Sequence, residues 1–334
     1  MNKTAQRGLT IPAHQVDYLL ATAARAPSVH NTQPWQFKVG TSAIDLLADP
    51  RRKLRFDLLG REMLMSCGAA LFGLRLAIRS LGYFPEVRLM PDPAQLRLLA
   101  RVSLREGAPV TAAERRMLDA IPHRHTHRGP FAAGSLPPGL LVSLQQGALA
   151  EKATLAFVRR ATDFSRLADL MSRTAAVADL DPLARADVVR WTRPPGQWAR
   201  DGVPARALSA GRAKEPGRLP QRDFDLGRGI GTDMNGGADP LATAVLLTFG
   251  DRRLNWLQAG QALQRVLLQA AGTWIYASIY TQPLESAESR VMVARSLSLP
   301  GSPQVLLQFG RAEVTEPTSR RPVTALTASR ARPA

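Results

Sequence analysis

Apolar positions in the first part of the chain recur at helical spacing and predict where the chain begins to fold. Within 11–25 this spacing places one stripe on one helix face, at Val16, Leu19, Leu20 and Ala23. We therefore predict a first helix over 11–25, with Thr10 as its N-cap and Pro12 in its first turn. Pro27 disfavours helical geometry at the residue before it, so the helix ends there.

Two apolar strands and a long apolar helix follow. The pattern predicts strands at Trp35–Val39 and Ala43–Ala48 and a helix over 61–81. That helix carries apolar residues on several faces, which is typical of a helix buried on more than one side. Gly68 and Gly73 would let another element approach its backbone closely.

The second part of the chain repeats this order. The segment 44–52 resembles 244–253, and four residues of the long helix reappear later at one constant offset: Arg61, Gly68, Ala70 and Leu71 correspond to Arg253, Gly260, Ala262 and Leu263. Shared order indicates two halves of one duplicated fold. The alternative is that two buried helices rich in alanine, leucine and glycine resemble each other through composition alone.

Segments without periodicity mark the connections. Residues 130–139, rich in glycine, proline and small residues, lead from one half to the next. Residues 193–240 form a long Gly/Pro-rich segment, typical of a functional lid or a disordered insertion. Trp191 and Trp198 could cap a flat ligand from it, or simply pack that loop onto the body. The tail after Ala325 is small and basic, and we expect it to be frayed.

Composition restricts the class of protein. The 334 residues are 45% hydrophobic, which is enough for a sizeable core. We expect no membrane partner, because the sequence has no run of about 18 consecutive apolar residues. The N-terminus lacks the apolar core of a signal peptide. The single cysteine, Cys67, excludes an internal disulfide framework and favours a reducing cytoplasm; within its apolar helix it is a core residue and not a nucleophile.

The net charge of +17 suggests nucleic-acid binding, but its distribution argues against this class. Arginine provides almost all of the positive charge, with five lysines, and it is scattered along the chain. No zinc-finger, helix-turn-helix or basic heptad pattern accompanies it. We therefore expect no specific nucleic-acid partner. The alternative is a basic nucleic-acid binder, which a colourless protein with salt-sensitive DNA binding would favour.

The segment 26–37 carries the first candidate site. A helix of small residues ends in proline, a short polar loop follows, and the loop continues as an apolar strand. Within ten residues it offers the hydroxyl of Ser28, the amides of Asn31 and Gln33, and the indole of Trp35. This set suits a planar ligand that forms hydrogen bonds and is partly apolar.

A second candidate site lies at 123–131. Arg124 and Arg128 flank the hydroxyl of Thr126, and two guanidinium groups with a hydroxyl between them can bind a phosphate. Three histidines alternate with these residues, so metal binding is an alternative; no carboxylate or cysteine is nearby, however, and the arginines would repel a cation. A solvated basic segment without a ligand is the other alternative.

Six segments in order resemble the Acg-like branch of the nitroreductase superfamily, over almost the whole chain. They are Ala26 to Trp35 (Ala-Pro-Ser-x-His-Asn-x-Gln-Pro-Trp), Ser66 to Leu71, Arg124 to Arg128, Thr281 to Glu285, Pro303-Gln304 and Arg320-Arg321-Pro322. His125 stands where the family pattern has a second arginine. The arginine pair at 320 and 321 stands where the family pattern has a second contact with the flavin phosphate.

The resemblance implies an α+β nitroreductase-like fold, with a central, mainly antiparallel sheet flanked by helices and two pseudo-repeated halves that mimic a nitroreductase homodimer. The expected divisions are a first half at 1–122, a second half at 123–325 with a lid-like insertion at about 191–240, and a flexible tail at 326–334.

The same resemblance implies one FMN per chain, with NAD(P)H as transient reductant and a small nitroaromatic or quinone-like molecule as electron acceptor. It implies a monomer, as an internal pseudo-dimer, or a homodimer. The alternative is a lidded protein that binds or sequesters FMN with little turnover. Hydride transfer requires no protein acid or base, so no catalytic side chain is expected. The expected cofactor-binding residues are Ser28, Asn31, Gln33, Trp35, Gln36, Arg124, Thr126, Arg128, Arg320 and Arg321.

Overall fold

The structure, a computed structural model, describes residues 9–210, 219, 222–230, 232–233, 237–312 and 318–328. Residues 329–334 of the predicted tail lie outside the described residues. So do residues 211–218, 220–221, 231 and 234–236 of the predicted insertion.

The first half is an antiparallel four-stranded sheet with helices packed against it. Its strands are arranged in the order β1-β2-β4-β3. In chain order the elements are α1 (Ala13–Ala24), β1 (Trp35–Val39), β2 (Ala43–Ala48), α2 (Arg61–Ser80), β3 (Tyr83–Leu89), β4 (Leu98–Glu106) and α3 (Ala112–Ala120).

The first elements agree with the predicted ones except at the start of α1. The strands at Trp35–Val39 and Ala43–Ala48 are confirmed, and α2 ends one residue before the predicted end. Helix α1 begins at Ala13, with Pro12 in extended geometry as the N-cap residue and no side-chain cap, so Thr10 does not cap it.

The second half repeats this arrangement. Its strands are in the order β5-β10-β12-β11, so in both sheets the chain's third strand is at an edge and its fourth lies inside. A long helix joins the second and third strands of each sheet. The elements are α4 (Leu140–Ala150), β5 (Ala153–Val158), α5 (Ala161–Leu180), α6 (Pro182–Trp191), β6 (Thr192–Arg193), β7 (Val203–Pro204), β8 (Ser209–Ala210), β9 (Thr232–Asp233), β10 (Ala242–Thr248), α7 (Arg253–Ala271), β11 (Tyr276–Tyr280), α8 (Ala287–Ser296) and β12 (Ser302–Gly310).

Helices α2 and α7 pack against each other at the centre of the molecule. A Cβ atom added at Gly68 would lie 2.1 Å from the Leu257 carbonyl oxygen, and one added at Gly260 would lie 1.9 Å from the Met65 carbonyl oxygen. The predicted close approach at Gly68 is therefore confirmed, and the repeated glycines are the residues that permit it. Gly73 makes a second such approach, to Ala23 of α1.

Helix α2 has the length and apolar composition of a membrane span, and 78% of its most apolar window is buried inside the protein. Packing against α1, α7 and the first sheet explains this composition. Cys67 is fully buried there, its thiol donates to the Pro34 carbonyl oxygen, and burial raises the pKa of that thiol.

Two segments cross between the halves. After α3 the chain runs beside the second sheet, where Thr126 pairs with Ala277 and Ala132 pairs with Arg311. After β12 the segment 318–328 returns to the first sheet, where Phe37 donates from its backbone to the Leu326 carbonyl. Leu326 is fully buried, so the first residue of the predicted tail belongs to the core. The division at residue 122 stays a prediction.

Candidate functional site

A cavity of about 330 Å³ lies between the two halves. Its lining comes from the loop before β1, one face of α2, the segment after α3, β11 with the residues after it, single residues of α7 and β12, and the predicted insertion. Representative residues are Ser28 and His30 from the loop, Glu62, Met65 and Ser66 from α2, Thr126 and Arg128 from the segment after α3, Ser278 and Tyr280 from β11, and Leu208, Arg222 and Phe224 from the insertion. Its size is within the range of small-molecule sites.

The loop before β1 is held in an unusual backbone conformation. His30, Asn31 and Gln33 all have left-handed φ values of 51°, 54° and 50°, which are unfavourable for residues other than glycine. A hydrogen bond within the loop helps to fix it, because the backbone N–H of Gln33 donates to Ser28 Oγ at 2.9 Å. Such a shape, held at the edge of a cavity, is typical of a binding loop.

The two side-chain amides of this loop join it to other segments. Asn31 Nδ2 donates to the carbonyls of Gly202 and Ser319, at 3.0 and 3.1 Å. Gln33 Nε2 donates to the Arg200 carbonyl at 2.8 Å, and its Oε1 accepts from the Arg321 backbone at 2.8 Å. These amides therefore bind the insertion and the returning segment to the first half.

A cluster of arginines lies at the C-terminal end of α1, next to the cavity. Arg124 donates to the Arg25 carbonyl at 3.0 Å, and Arg320 donates to the carbonyls of Ala24 and Ala26 at 3.0 and 3.1 Å. Cations at the carboxyl end of a helix are favoured by its dipole. Arg128 lines the cavity beside them.

No carboxylate of the described residues balances the positive charge of this cluster. Arg124 Nε and Nη1 are buried without a hydrogen-bond partner. Among the described residues no carboxylate forms an ion pair with Arg124, Arg128 or Arg320. Burial, and then the charges of Arg25 and Arg128, lower the pKa of Arg124 to about 10; burial lowers the pKa of Arg128 to about 10. Uncompensated, partly buried guanidinium groups form a site for an anion.

The structure brings Ser28, Thr126 and Arg128 together as lining residues, and the charges of Arg124 and Arg320 interact with that of Arg128. Three other predicted residues lie elsewhere. Trp35 is fully buried in the core, the side chain of Gln36 accepts from Arg97 at 3.2 Å, and Arg321 donates to the carbonyls of Gln33 and Ala325. Their predicted contacts with a cofactor stay predictions.

The three histidines at 123–127 each have a protein partner of their own, although the rings of His123 and His125 both lie against Tyr276. The His123 ring stacks on Trp274 with centroids 4.6 Å apart, His125 Nδ1 is 3.0 Å from the His123 carbonyl oxygen, and His127 Nε2 is 2.9 Å from the Pro130 carbonyl oxygen. Across the described part of the chain, no group of three histidine, cysteine or acidic residues is arranged to hold a metal ion.

Sequence reasoning missed a buried group of acids and arginines beside the cavity. Glu62 pairs with Arg61 at 2.5 Å, Glu285 pairs with Arg222, and Arg290 pairs with Asp251 at 2.8 Å. Burial, opposed by nearby arginines, raises the pKa of Glu62 to about 7 and that of Glu285 to about 8. Apart from the adjacent Arg61 and Glu62, each ion pair joins residues that are far apart in the chain, so no short motif reveals the group.

The insertion contacts the cavity through Phe224. Its ring lies edge-on to the His30 ring, with centroids 5.1 Å apart, and both nitrogens of His30 lack a hydrogen-bond partner. Burial, and then the charges of Arg222 and Arg128, hold the pKa of His30 well below its usual value. His30 is therefore a neutral ring. Of the two tryptophans, Trp191 is buried under Arg52 and Trp198 is 90% exposed, and neither lines the cavity.

Sequence comparison identifies relatives along nearly the whole chain. A protein of Mycobacterium tuberculosis strain H37Rv with the provisional name NAD(P)H nitroreductase Rv3131 is 34% identical over 321 residues, which covers 92% of this chain and 90% of the relative. A second protein of that strain, with the provisional name NAD(P)H nitroreductase Acg, is 32% identical over 310 residues, covering 90% and 91%. No protein-family model matches the chain.

The similarity to solved structures is more distant. Iodotyrosine deiodinase bound to FMN and 3-iodo-L-tyrosine is 13% identical with a TM-score of 0.38, over 61% of this chain and 94% of that chain. A nitroreductase with bound FMN from Bacteroides fragilis is 11% identical with a TM-score of 0.36, over 61% and 94%. The assignment rests on the sequence relatives: the chain belongs to the nitroreductase superfamily, in the branch that contains Acg.

Proposed function

We propose that this protein is an FMN-dependent oxidoreductase that takes a hydride from NAD(P)H and reduces a small quinone-like or nitroaromatic acceptor. The supporting observation is the arginine cluster beside the cavity. Arg124 presents two buried nitrogens without a protein partner, next to Arg25, Arg128 and Arg320. A phosphate group would satisfy both nitrogens and balance the charge, so these residues fit the phosphate end of FMN.

The rest of the cavity fits a flat, partly polar ring system. Ser28 and Thr126 provide hydroxyl groups, and Met65, Leu263 and Val305 provide apolar surface. FMN, when bound, supplies the redox chemistry, accepting a hydride and passing two electrons to the acceptor. The protein holds the phosphate with arginines, orients the ring between its two halves, and excludes water with the insertion.

The visible spectrum of the purified protein, followed anaerobically during addition of NADPH, tests this proposal. We expect a flavin spectrum that bleaches promptly and returns when a quinone is added. A protein that cannot bind FMN at all would contradict the cofactor assignment.

A second candidate is a lidded protein that binds FMN with little turnover. It is favoured by the way the insertion closes the cavity, with Leu208, Arg222 and Phe224 in its wall and Asn31 hydrogen-bonded to Gly202. In that case bound flavin stays oxidised during NADPH addition. Deletion of β8, β9 and the residues between them restores its reduction.

A further inference from the structure

Glu62 is a buried acid that lines the proposed ligand site. It begins the face of α2 that lines the cavity, one turn before Met65 and Ser66. The residue is 3% exposed. One carboxyl oxygen, Oε1, accepts from Arg61 at 2.5 Å, and the other, Oε2, has no hydrogen-bond partner among the residues that the structure describes. An unpaired carboxyl oxygen is unfavourable in a buried site unless it carries a proton or meets a ligand.

The charges around Glu62 come from four neighbouring regions. Arg61 of α2, Arg222 of the insertion and Arg290 of α8 favour the carboxylate, whereas Asp57, in the turn before α2, disfavours it. Glu285, the partner of Arg222, is influenced by Glu62 in turn. Burial is the largest effect and raises the pKa of Glu62 to about 7. Near neutral pH the group therefore exists in both protonation states, as a proton donor requires.

We propose that Glu62 is the general acid that protonates the electron acceptor. This inference rests on the proposed function. Reduction of a quinone to a hydroquinone requires two electrons and two hydrogens. The hydride delivered from the reduced flavin brings both electrons and one hydrogen. The Glu62 O–H bond breaks and provides the second hydrogen, as a proton, to the quinone oxygen that gains charge. Glu62 is left as a carboxylate and recovers a proton from water before the next turnover.

The two half-reactions separate this role from a merely structural one. Flavin reduction by a hydride takes up no proton from the protein, so Glu62→Gln should leave its rate within about twofold of the wild type. Reoxidation by menadione should slow by roughly 10²-fold, the usual contribution of a general acid. An unchanged rate of reoxidation in the FMN-loaded variant would overturn the proposal.

Glu151→Gln is a matched control. Glu151 is also a buried glutamate, and it pairs with Arg75 and Arg265 at 2.6 and 3.1 Å, but it does not line the cavity. Its substitution should change neither half-reaction. A loss of reoxidation rate equal to that of Glu62→Gln would show that any disturbed buried ion pair gives the effect, and would also overturn the proposal.

The wild-type protein provides two readouts that do not depend on a variant binding FMN. Reoxidation by menadione should decline by about tenfold per pH unit above the pKa of Glu62, since only the protonated acid donates; a flat profile would contradict the proposal. In FMN-free protein, infrared spectroscopy should detect a protonated carboxyl group that titrates near neutral pH and is missing from Glu62→Gln.

The design distinguishes failure of this inference from failure of the proposed function. If NAD(P)H does not reduce the flavin, the proposed function is wrong, but the flavin can still be reduced by light and its reoxidation by menadione followed. If NAD(P)H reduces the flavin and Glu62→Gln behaves like the wild type, only the role of Glu62 is wrong.

Discussion

Single residues around the cavity show how one set of side chains can serve both folding and binding. Arg124 and Arg320 donate to the carbonyl groups that end α1. These bonds fix the direction of the guanidinium groups before any ligand arrives, which reduces the entropy lost on binding. The two remaining nitrogens of Arg124 are then available for an anion.

Replacing Arg124 and Arg128 together by alanine should release FMN while the protein stays folded. Hydrogen bonds to charged groups contribute about 1.5–3 kcal/mol each, so the affinity should fall by at least roughly 100-fold. Bound flavin per protein measures the effect, and circular dichroism checks the fold. Arg101→Ala with Arg105→Ala removes the same charge from the surface of the first sheet and should retain flavin; stoichiometric FMN in the first double variant would place the phosphate elsewhere.

The sequence could predict part of this site because some of its residues lie close together in the chain. Ser28, Thr126 and Arg128 were named from short motifs and line one cavity. Glu62, Arg222 and Phe224 were not named, because only the folded chain brings α2 and the insertion together. Trp35 shows the opposite limit: in a sequence, an indole next to a polar loop is equally typical of a ligand contact and of a core residue.

At the scale of elements, the contact between α2 and α7 positions both walls of the cavity. Glycine at the crossing lets the backbones touch. The sequence predicted a close approach at Gly68 but not that the repeated helix, α7, makes it. The two predicted strands, β1 and β2, are confirmed because their apolar runs are bounded by polar turns. The start of α1 was not, because Thr10 has the chemistry of a cap but the chain enters the helix through Pro12.

Gly68→Ala and Gly260→Ala should each destabilise the protein by about 1–3 kcal/mol, since the added methyl group overlaps a carbonyl oxygen of the partner helix. Urea unfolding measures the change. Gly147→Ala in α4 is the matched control, because its methyl group would meet only the flexible side chain of Gln269 and should be nearly neutral or stabilising. Equal stability of all three variants would contradict the tight crossing.

At the scale of the whole molecule, the insertion is part of the second half of the chain but is bound to the first half. Asp201 accepts from Arg52 of the first half and from Arg193 of the insertion. Just before the insertion, Asp187 of α6 also accepts from the backbone amides of Arg55 and Phe56. The lid is therefore a bridge between the halves, and its position affects access to the cavity.

Asp201→Asn should accelerate FMN release by roughly fivefold, the equivalent of about 1 kcal/mol for a partly exposed ion pair. Stopped-flow flavin fluorescence measures the rate. The link should persist in mildly acidic solution, because hydrogen bonds from Arg193 and Arg52 outweigh burial and hold the pKa of Asp201 below its usual value. Asp163→Asn, which breaks a surface pair on α5, should leave the rate unchanged. If Asp201→Asn releases FMN at the wild-type rate, the link through Asp201 does not control release.

The covalent joining of the two repeated halves allows their equivalent positions to diverge. In a symmetric pair of subunits every substitution appears twice, so a charge on one wall is always accompanied by its copy on the other. Here Arg61 corresponds to Arg253, and the next position is Glu62 in α2 but the partly exposed Leu254 in α7. A single gene thus encodes two unlike walls, and selection can give an acid to one of them without burdening the other.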